Sequence, residues 1–294
     1  MFYQLLRAMR PKQWTKNVFI FAGVFFDGKV LVPQYLLRSI AGLALFCGIT
    51  SAVYLINDLV DMEKDRLHPI KRHRPLASGA LPPIVAQVAA AVLFAVCLPA
   101  SFLLRPSFGV VAVLYALVMV LYSFVLKNVV IIDVMTVAAG FVLRVFAGTT
   151  VVPVSRFSPW LYVCTTLLAL FIAINKRRHE LLLLAENANG HRSSLQEYTV
   201  AFLDNMTSLV TSTTLAAYSF YTFSAPNLPA NHTMMLTIPF VIYGLFRYLY
   251  LIYTKNLGGA PEEIFIHDRP LLLACLLWGL TAGLVIYGPL LFAR

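Results

Sequence analysis

An all-α, polytopic membrane bundle is the fold class this chain predicts, on three observations. Of its 294 residues, 60% are hydrophobic and 12% charged, with a mean hydropathy of +0.78, a composition foreign to soluble domains. The apolar residues come in runs close to the 20 or so that a helix needs to cross hydrocarbon. Charged residues sit between those runs instead of forming one basic stripe, so the formal charge of +10 points to membrane topology and excludes a nucleic-acid partner. Backbone inside a bilayer must satisfy its own polar groups, which makes such runs helices.

Taken in order, residues 1–16 mix Arg7, Arg10, Lys12 and Lys16 with Phe2, Tyr3, Leu5, Leu6 and Trp14. They predict a short interfacial helix, not a cleavable signal. Nine spans are expected after it, at about 17–32, 36–59, 83–104, 108–126, 130–152, 160–174, 198–221, 234–253 and 270–292. Two long polar loops, 60–82 and 176–197, are expected to carry the active site within a single transmembrane domain, 1–294. They lie four spans apart, which hints at tandem halves plus a ninth helix. Short Pro- and Asn-rich turns join the spans on the other side. With the amino terminus in the cytoplasm, most of the 23 basic residues fall in cytoplasmic segments, as the positive-inside rule requires. Cys47, Cys97, Cys164 and Cys275 fall in four different spans and predict buried thiols, neither a zinc site nor a disulfide framework.

The chemistry concentrates where span two ends. Asn57-Asp58-Leu59-Val60-Asp61-Met62-Glu63-Lys64-Asp65 places Asp58, Asp61 and Asp65 at i, i+3 and i+7, one face of a continuing helix, with Asn57 a turn from Asp61. That face repels itself unless a cation bridges it. A hard ion such as Mg2+ takes oxygen ligands, usually one or two carboxylates completed by substrate phosphates and water. A solvated acidic helix end is the plainer alternative. The segment that follows, containing Lys71, Arg72 and Arg74, sets phosphate-binding cations beside the acids.

Other candidates flank the next cytoplasmic turns. Tyr122, Lys127 and Asp133 bracket the turn after span four, and an acid inside a span is usually functional, although Asp133 could instead pair with Lys127. Arg144, deeper in the same span, is either a partner to another helix or a phosphate ligand. Lys12, Lys16, Lys176, Arg177 and Arg178 could bind a lipid phosphate or a sugar phosphate, or could anchor their helices at the headgroups. Glu180, like Asp133, is a candidate for fixing sugar hydroxyls or stabilising positive charge on a ring.

Asn57-Asp58-x-x-Asp61-x-x-x-Asp65 followed by Arg74-Pro75-Leu76-x-Ser78-Gly79 resembles the first aspartate-rich motif of the UbiA superfamily of intramembrane prenyltransferases. Further strings are similar to its decaprenyl-phosphate phosphoribosyltransferase branch. They are Arg10-Pro11-Lys12-Gln13-Trp14-Thr15-Lys16-Asn17, Ser51-Ala52-Val53-Tyr54-Leu55-Ile56-Asn57-Asp58, Lys176-Arg177-Arg178-x-Glu180-Leu181 and Gly259-x-Pro261-Glu262-Glu263. One departure favours that branch. Where quinone-forming members carry a second aspartate-rich motif, this chain reads Asn175-Lys176-Arg177-Arg178-His179-Glu180, which is cationic.

The resemblance implies a helical bundle around a central cavity capped on the cytoplasmic side, embedded in the plasma (inner) membrane. It implies Mg2+-dependent transfer of the 5-phosphoribosyl group of phosphoribosyl diphosphate (PRPP) to a polyprenyl phosphate, feeding arabinose donors for the cell envelope. Asp58, Asp61 and Asp65 would hold the metal. Homo-oligomer formation is left open. The enzymatic rival is a prenyltransferase acting on an aromatic acceptor in quinone biosynthesis, which needs a second metal–diphosphate site. A transporter, the non-enzymatic rival, would carry its acids near the bilayer midplane, whereas these cluster at one surface.

Overall fold

Proline opens the first three long helices. Pro33, Pro83 and Pro106 sit at the start of Pro33–Val60, Pro83–Leu104 and Pro106–Phe124, where a missing N–H leaves no hydrogen bond unmade. A computed structural model describes residues 1–154, 158–185, 193–226, 228–255, 257, 264 and 267–292. Among them the regular structure is helical throughout. Seven helices are long and apolar enough to cross a membrane, the mark of a multi-pass membrane protein.

The chain divides into two compact units. The first holds α1 (Phe2–Ala8), a 3-10 helix Pro11–Ile20, all but the last residue of α2 (Phe21–Phe26), α3 (Pro33–Val60), α4 (Met62–Leu67), α5 (Pro83–Leu104), α6 (Pro106–Phe124), α7 (Ile132–Val151) and the short α9 (Ser193–Gln196). Its centre is α3, which packs on α5, α6 and α7. Phe46 of α3 meets Phe108 and Tyr115 of α6 with ring centroids 5.6 and 5.1 Å apart. The opposite stripe of α5, Ile84, Val88, Val92 and Val96, is exposed, as a helix solvated by lipid should be.

The expected first span, 17–32, is not a single helix. A 3-10 helix ends at Ile20, α2 covers six residues, and Gly28 turns the chain with φ 69°. Buried Asn17 is the cause on one side, since its amide donates to Thr50 Oγ1 (3.2 Å) and Cys47 Sγ (3.3 Å) and ties the segment to α3. Close backbone approach is the cause on the other. A Cβ on Gly148 of α7 would stand 2.0 Å from the Ile20 carbonyl oxygen, and one on Gly23 2.6 Å from that of Gly148.

The second unit contains α8 (Pro159–Ala185), α10 (Val200–Ser224), a 3-10 turn Thr233–Thr237, α11 (Ile238–Lys255) and α12 (Arg269–Phe292). Here α8 packs on α10 and α11 on α12. In α10 the hydroxyls of Thr207, Thr211 and Thr214 each donate to the carbonyl one turn back, so they are satisfied within the helix. Its length suits a span, but those hydroxyls make it less apolar than the other seven. Trp278 Nε1 donates to Tyr218 OH (2.6 Å), which lies 2.5 Å from Thr237 Oγ1.

Two further expectations are corrected. The loop expected at 176–197 begins as helix, because α8 runs on to Ala185, so Lys176, Arg177, Arg178 and Glu180 are helical. Cys97 is buried as expected, but Cys275 is exposed on α12 and Cys47 and Cys164 are half-buried. The Gly259–Glu263 string lies outside the described residues.

Candidate active site

The three aspartates straddle a helix junction. Asp58 is in the last turn of α3, Asp61 is the junction residue (φ −91°, ψ 0°), and Asp65 is in α4. Asp61 N donates to Asn57 O (3.0 Å) and Asp65 N to Asp61 O (2.8 Å). The hydrogen-bond ladder thus continues through the bend and keeps the carboxylates together despite it. Asp58, Asp61 and Asp65 are 2%, 7% and 4% exposed, and carboxylates so buried must be paired.

Each is paired with a cation. Arg74 Nη1 donates to Asp58 Oδ1 (3.2 Å) and Asp65 Oδ2 (2.6 Å). Lys127 Nζ donates to Asp61 Oδ1 (2.5 Å), and Arg10 Nη2 donates to Asp58 Oδ1. Glu63, the remaining acid of the motif, faces elsewhere and is bound by exposed Arg66.

Arg74 is aimed by the residues that follow it. Pro75, Leu76 and Ala77 are buried, and Leu76 and Leu81 pack with Ala52 and Leu55 of α3. Leu81 N donates to Pro75 O (2.9 Å), and Gly79, at φ 78°, supplies the left-handed residue this turn needs. The Arg-Pro-Leu-x-Ser-Gly string is therefore a clamp that seats one guanidinium over two carboxylates.

Arg10 is the residue that sequence reasoning missed. It holds a left-handed backbone (φ 55°, ψ 64°) just before Pro11, and its guanidinium lies 5.0 Å from the Tyr54 ring centroid. Such a conformation in a non-glycine residue costs about 1 kcal/mol or more and persists where other contacts fix it. Only the similarity of its surrounding string pointed to it, since topology already accounted for its charge.

Lys127 lies in a 3-10 turn, Leu126–Asn128, and its carbonyl accepts from Ser194 Oγ (2.9 Å). The chain then makes a three-residue turn at Ile131 (φ 68°, ψ −45°), closed by Ile132 N to Val130 O at 2.8 Å. For a β-branched residue this is a strained γ-turn. It starts α7 so that Asp133 falls in the first turn, fully buried, with Oδ1 accepting from Val134 N (2.9 Å). That position favours a carboxylate.

The remaining candidates of this unit differ in burial. Asn57, Lys16, Lys71 and Tyr122 are half-buried, and Arg72 is exposed with Nε against His73. Arg144 is buried within the unit, donating to Asn17 Oδ1 (2.8 Å), Gly140 O (2.8 Å) and Tyr115 OH (2.7 Å). It joins the Pro11–Ile20 segment to α6 and α7. In the second unit Arg177 pairs with Glu180 one turn on. Arg178 pairs with Asp204 (2.6 Å) and lies 4.3 Å from the Tyr253 ring centroid, while Lys176 is half-buried beside them in sequence.

A hard divalent ion fits this donor set. The Asp58 and Asp65 oxygens converge on one atom of Arg74. Among the described residues no three His, Cys, Asp or Glu side chains form a complete cage. An ion held by one or two carboxylates and finished by substrate phosphates and water needs no more.

Fold and site define a multi-pass helical membrane protein with a buried, charge-balanced aspartate centre at the end of one long helix. The family model of the UbiA prenyltransferase family matches residues 17–268. Decaprenyl-phosphate phosphoribosyltransferase of Mycobacterium tuberculosis is 32% identical over 289 residues, covering 95% of this chain and 93% of the relative. The enzyme of the same name from Mycolicibacterium smegmatis is 33% identical over 302 residues, with 96% and 92% covered. A UbiA homologue from Archaeoglobus fulgidus, solved bound to GPP and Mg2+, superposes with a TM-score of 0.72 at 19% identity, covering 96% of this chain and 99% of the other. The chain belongs to the UbiA prenyltransferase family.

Proposed function

We propose that this protein transfers the 5-phosphoribosyl group of phosphoribosyl diphosphate to a polyprenyl phosphate in the membrane and releases diphosphate, with Mg2+ as cofactor. The observation that carries the proposal is the buried cluster in which Asp58, Asp61 and Asp65 are balanced by Arg10, Arg74 and Lys127. Both relatives bear the phosphoribosyltransferase name. The cationic Lys176-Arg177-Arg178 string supports it against an allylic diphosphate pair.

The lipid phosphate is the nucleophile. A phosphate monoester has a second pKa near 6 and is largely dianionic at neutral pH, so no side chain need remove a proton from it. Its oxygen attacks the anomeric carbon of the ribose as the bond from that carbon to diphosphate breaks, and the bonding pair leaves on the diphosphate. Arg10, Arg74 and Lys127 supply preorganised positive charge for that leaving group. A bound Mg2+ would neutralise the departing diphosphate further, with Asp58, Asp61 and Asp65 as its protein ligands. Asp133 and Glu180 are assigned to the ribose hydroxyls and the positive charge that develops on the ring. Asn57, Lys16, Lys71, Arg72, Tyr122, Lys176 and Arg177 are assigned to substrate phosphates and hydroxyls, with Arg144 supporting them through Asn17. We place the reaction at the cytoplasmic face of the plasma membrane, on the basic side of the topology, and its product in envelope arabinose-donor synthesis.

The test offers purified protein polyprenyl phosphate with phosphoribosyl diphosphate in one reaction and prenyl diphosphate with 4-hydroxybenzoate in another. Phosphoribosylated lipid is expected from the first. Product from the second alone would replace this proposal with aromatic prenylation. Solute flux into proteoliposomes with no product from either pair would replace it with transport.

A further inference from the structure

We infer that Arg74 is a built-in stand-in for the divalent cation. Without substrate its guanidinium occupies the point between Asp58 and Asp65, and the metal enters only together with a diphosphate that takes Arg74 over. This rests on the metal-assisted function proposed above and adds the order in which that site is filled.

Charge balance carries the inference. The carboxylates of Asp58, Asp61 and Asp65 face Arg10, Arg74 and Lys127, three negative charges against three positive in a region where all three acids are under 9% exposed. Carboxylates that already face two guanidinium groups and an ammonium group have little to offer a bare divalent ion, which would add its two positive charges beside those cations and away from water. The negative charge of a diphosphate arriving with the ion exceeds the ion's own two positive charges, and it also gives a displaced guanidinium an anion to bind.

Arg74 is built for that exchange. One of its nitrogens, Nη1, serves both carboxylates, at 3.2 and 2.6 Å, so it acts as a point charge and not as the planar fork arginine usually presents to a carboxylate. Its side chain is 26% exposed, against 2% for Lys127. Nη2 and Nε of Arg74 have no hydrogen-bond partner among the described residues. Its backbone, by contrast, is pinned through buried Pro75, Leu76 and Ala77. The side chain can therefore rotate from carboxylate to phosphate while the loop stays in place. Arg10 and Lys127 remain to balance Asp58 and Asp61.

Equilibrium dialysis of the purified full chain in detergent micelles tests this, with Mn2+ as the probe. It is run alone, with inorganic diphosphate, and with phosphoribosyl diphosphate, counting the metal retained by protein. Wild-type protein is expected to hold Mn2+ at least about tenfold more tightly with either diphosphate than without, an ordinary size for coupled sites. Arg74→Gln should bind Mn2+ alone about tenfold more tightly than wild type and lose most of the coupling, and Arg74→Lys should behave as wild type. Equal Mn2+ affinity in wild type with and without diphosphate overturns the inference, as does unchanged Mn2+-alone affinity in Arg74→Gln. Should that variant not fold, Arg74→Ala read by the same dialysis takes its place, and unchanged Mn2+-alone affinity there overturns the inference equally. Coupling to inorganic diphosphate but not to phosphoribosyl diphosphate, present in wild type and lost in Arg74→Gln, would uphold the role of Arg74 and count instead against the proposed donor.

Discussion

Lys127 and Asp61, 66 residues apart, meet at 2.5 Å with side chains only 2% and 10% exposed. Removing one partner from a pair so buried leaves an uncompensated charge, at a cost of about 3–5 kcal/mol. Lys127→Met should therefore unfold at a clearly lower temperature in detergent, and Lys127→Met with Asp61→Leu should recover much of the loss. Calorimetry on the single and double variants checks both. A stable single variant would mean that the pair contributes little to the fold.

Asp58→Asn keeps the shape of the side chain and removes the charge that faces Arg10 and Arg74. Turnover should fall at least about a hundredfold, the scale on which single preorganised electrostatic groups act, while the helical circular dichroism of the purified protein is retained. Chelation should stop wild-type turnover and added Mg2+ restore it. Radiolabelled donor incorporation measures both effects.

Arg10→Lys retains a positive charge but loses the planar guanidinium that both donates to Asp58 and lies over Tyr54. The two cations are not interchangeable at such a site. A loss of about tenfold in kcat/KM is expected, equal to about 1.4 kcal/mol, with unfolding temperature little changed. Steady-state kinetics with varied phosphoribosyl diphosphate reads it.

Gly148→Ala puts a methyl group 2.0 Å from the carbonyl oxygen of Ile20, and backbone atoms cannot yield as a side-chain tip would. Overpacking of this kind costs about 1–3 kcal/mol or more, so lower folded yield and earlier thermal unfolding are expected. Gly283→Ala is the control, because a Cβ there meets nothing within 4 Å. Fluorescence-detected size exclusion on the two variants separates them.

Asp268 caps α12, accepting from Leu271 N at 2.9 Å, and is also bound by Arg247 at 2.8 and 3.1 Å. The hydrogen bond from Arg247 is the main cause that holds its carboxyl below the usual carboxylate range, against a smaller opposing effect of burial. A folded pKa below the unfolded value of about 4 means that the stabilisation is complete above that value and is lost as pH falls through the lower, folded one. Thermal unfolding from pH 6 to pH 3 should show wild type losing its advantage over Asp268→Asn in that acid window. Parallel profiles across the range would show that Asp268 adds no pH dependence.

The chain itself determined the class and the acid motif, because hydropathy and i, i+3, i+7 spacing are local properties written along one helix. It therefore placed Asp58, Asp61 and Asp65 at the end of a long apolar helix and Arg74 in the segment after it. The segment 17–32 was misread because apolar content does not distinguish a membrane-crossing helix from a 3-10 segment pressed against α7 through Gly23 and Gly148. Tertiary structure alone decided which cation each aspartate receives. Arg10 lies 48 residues from Asp58 and Lys127 lies 66 from Asp61, and only the packing of α1, α3 and the turn after α6 brings them together. Burial then makes the choice consequential, because a carboxylate shielded from water depends on whichever positive group the fold delivers.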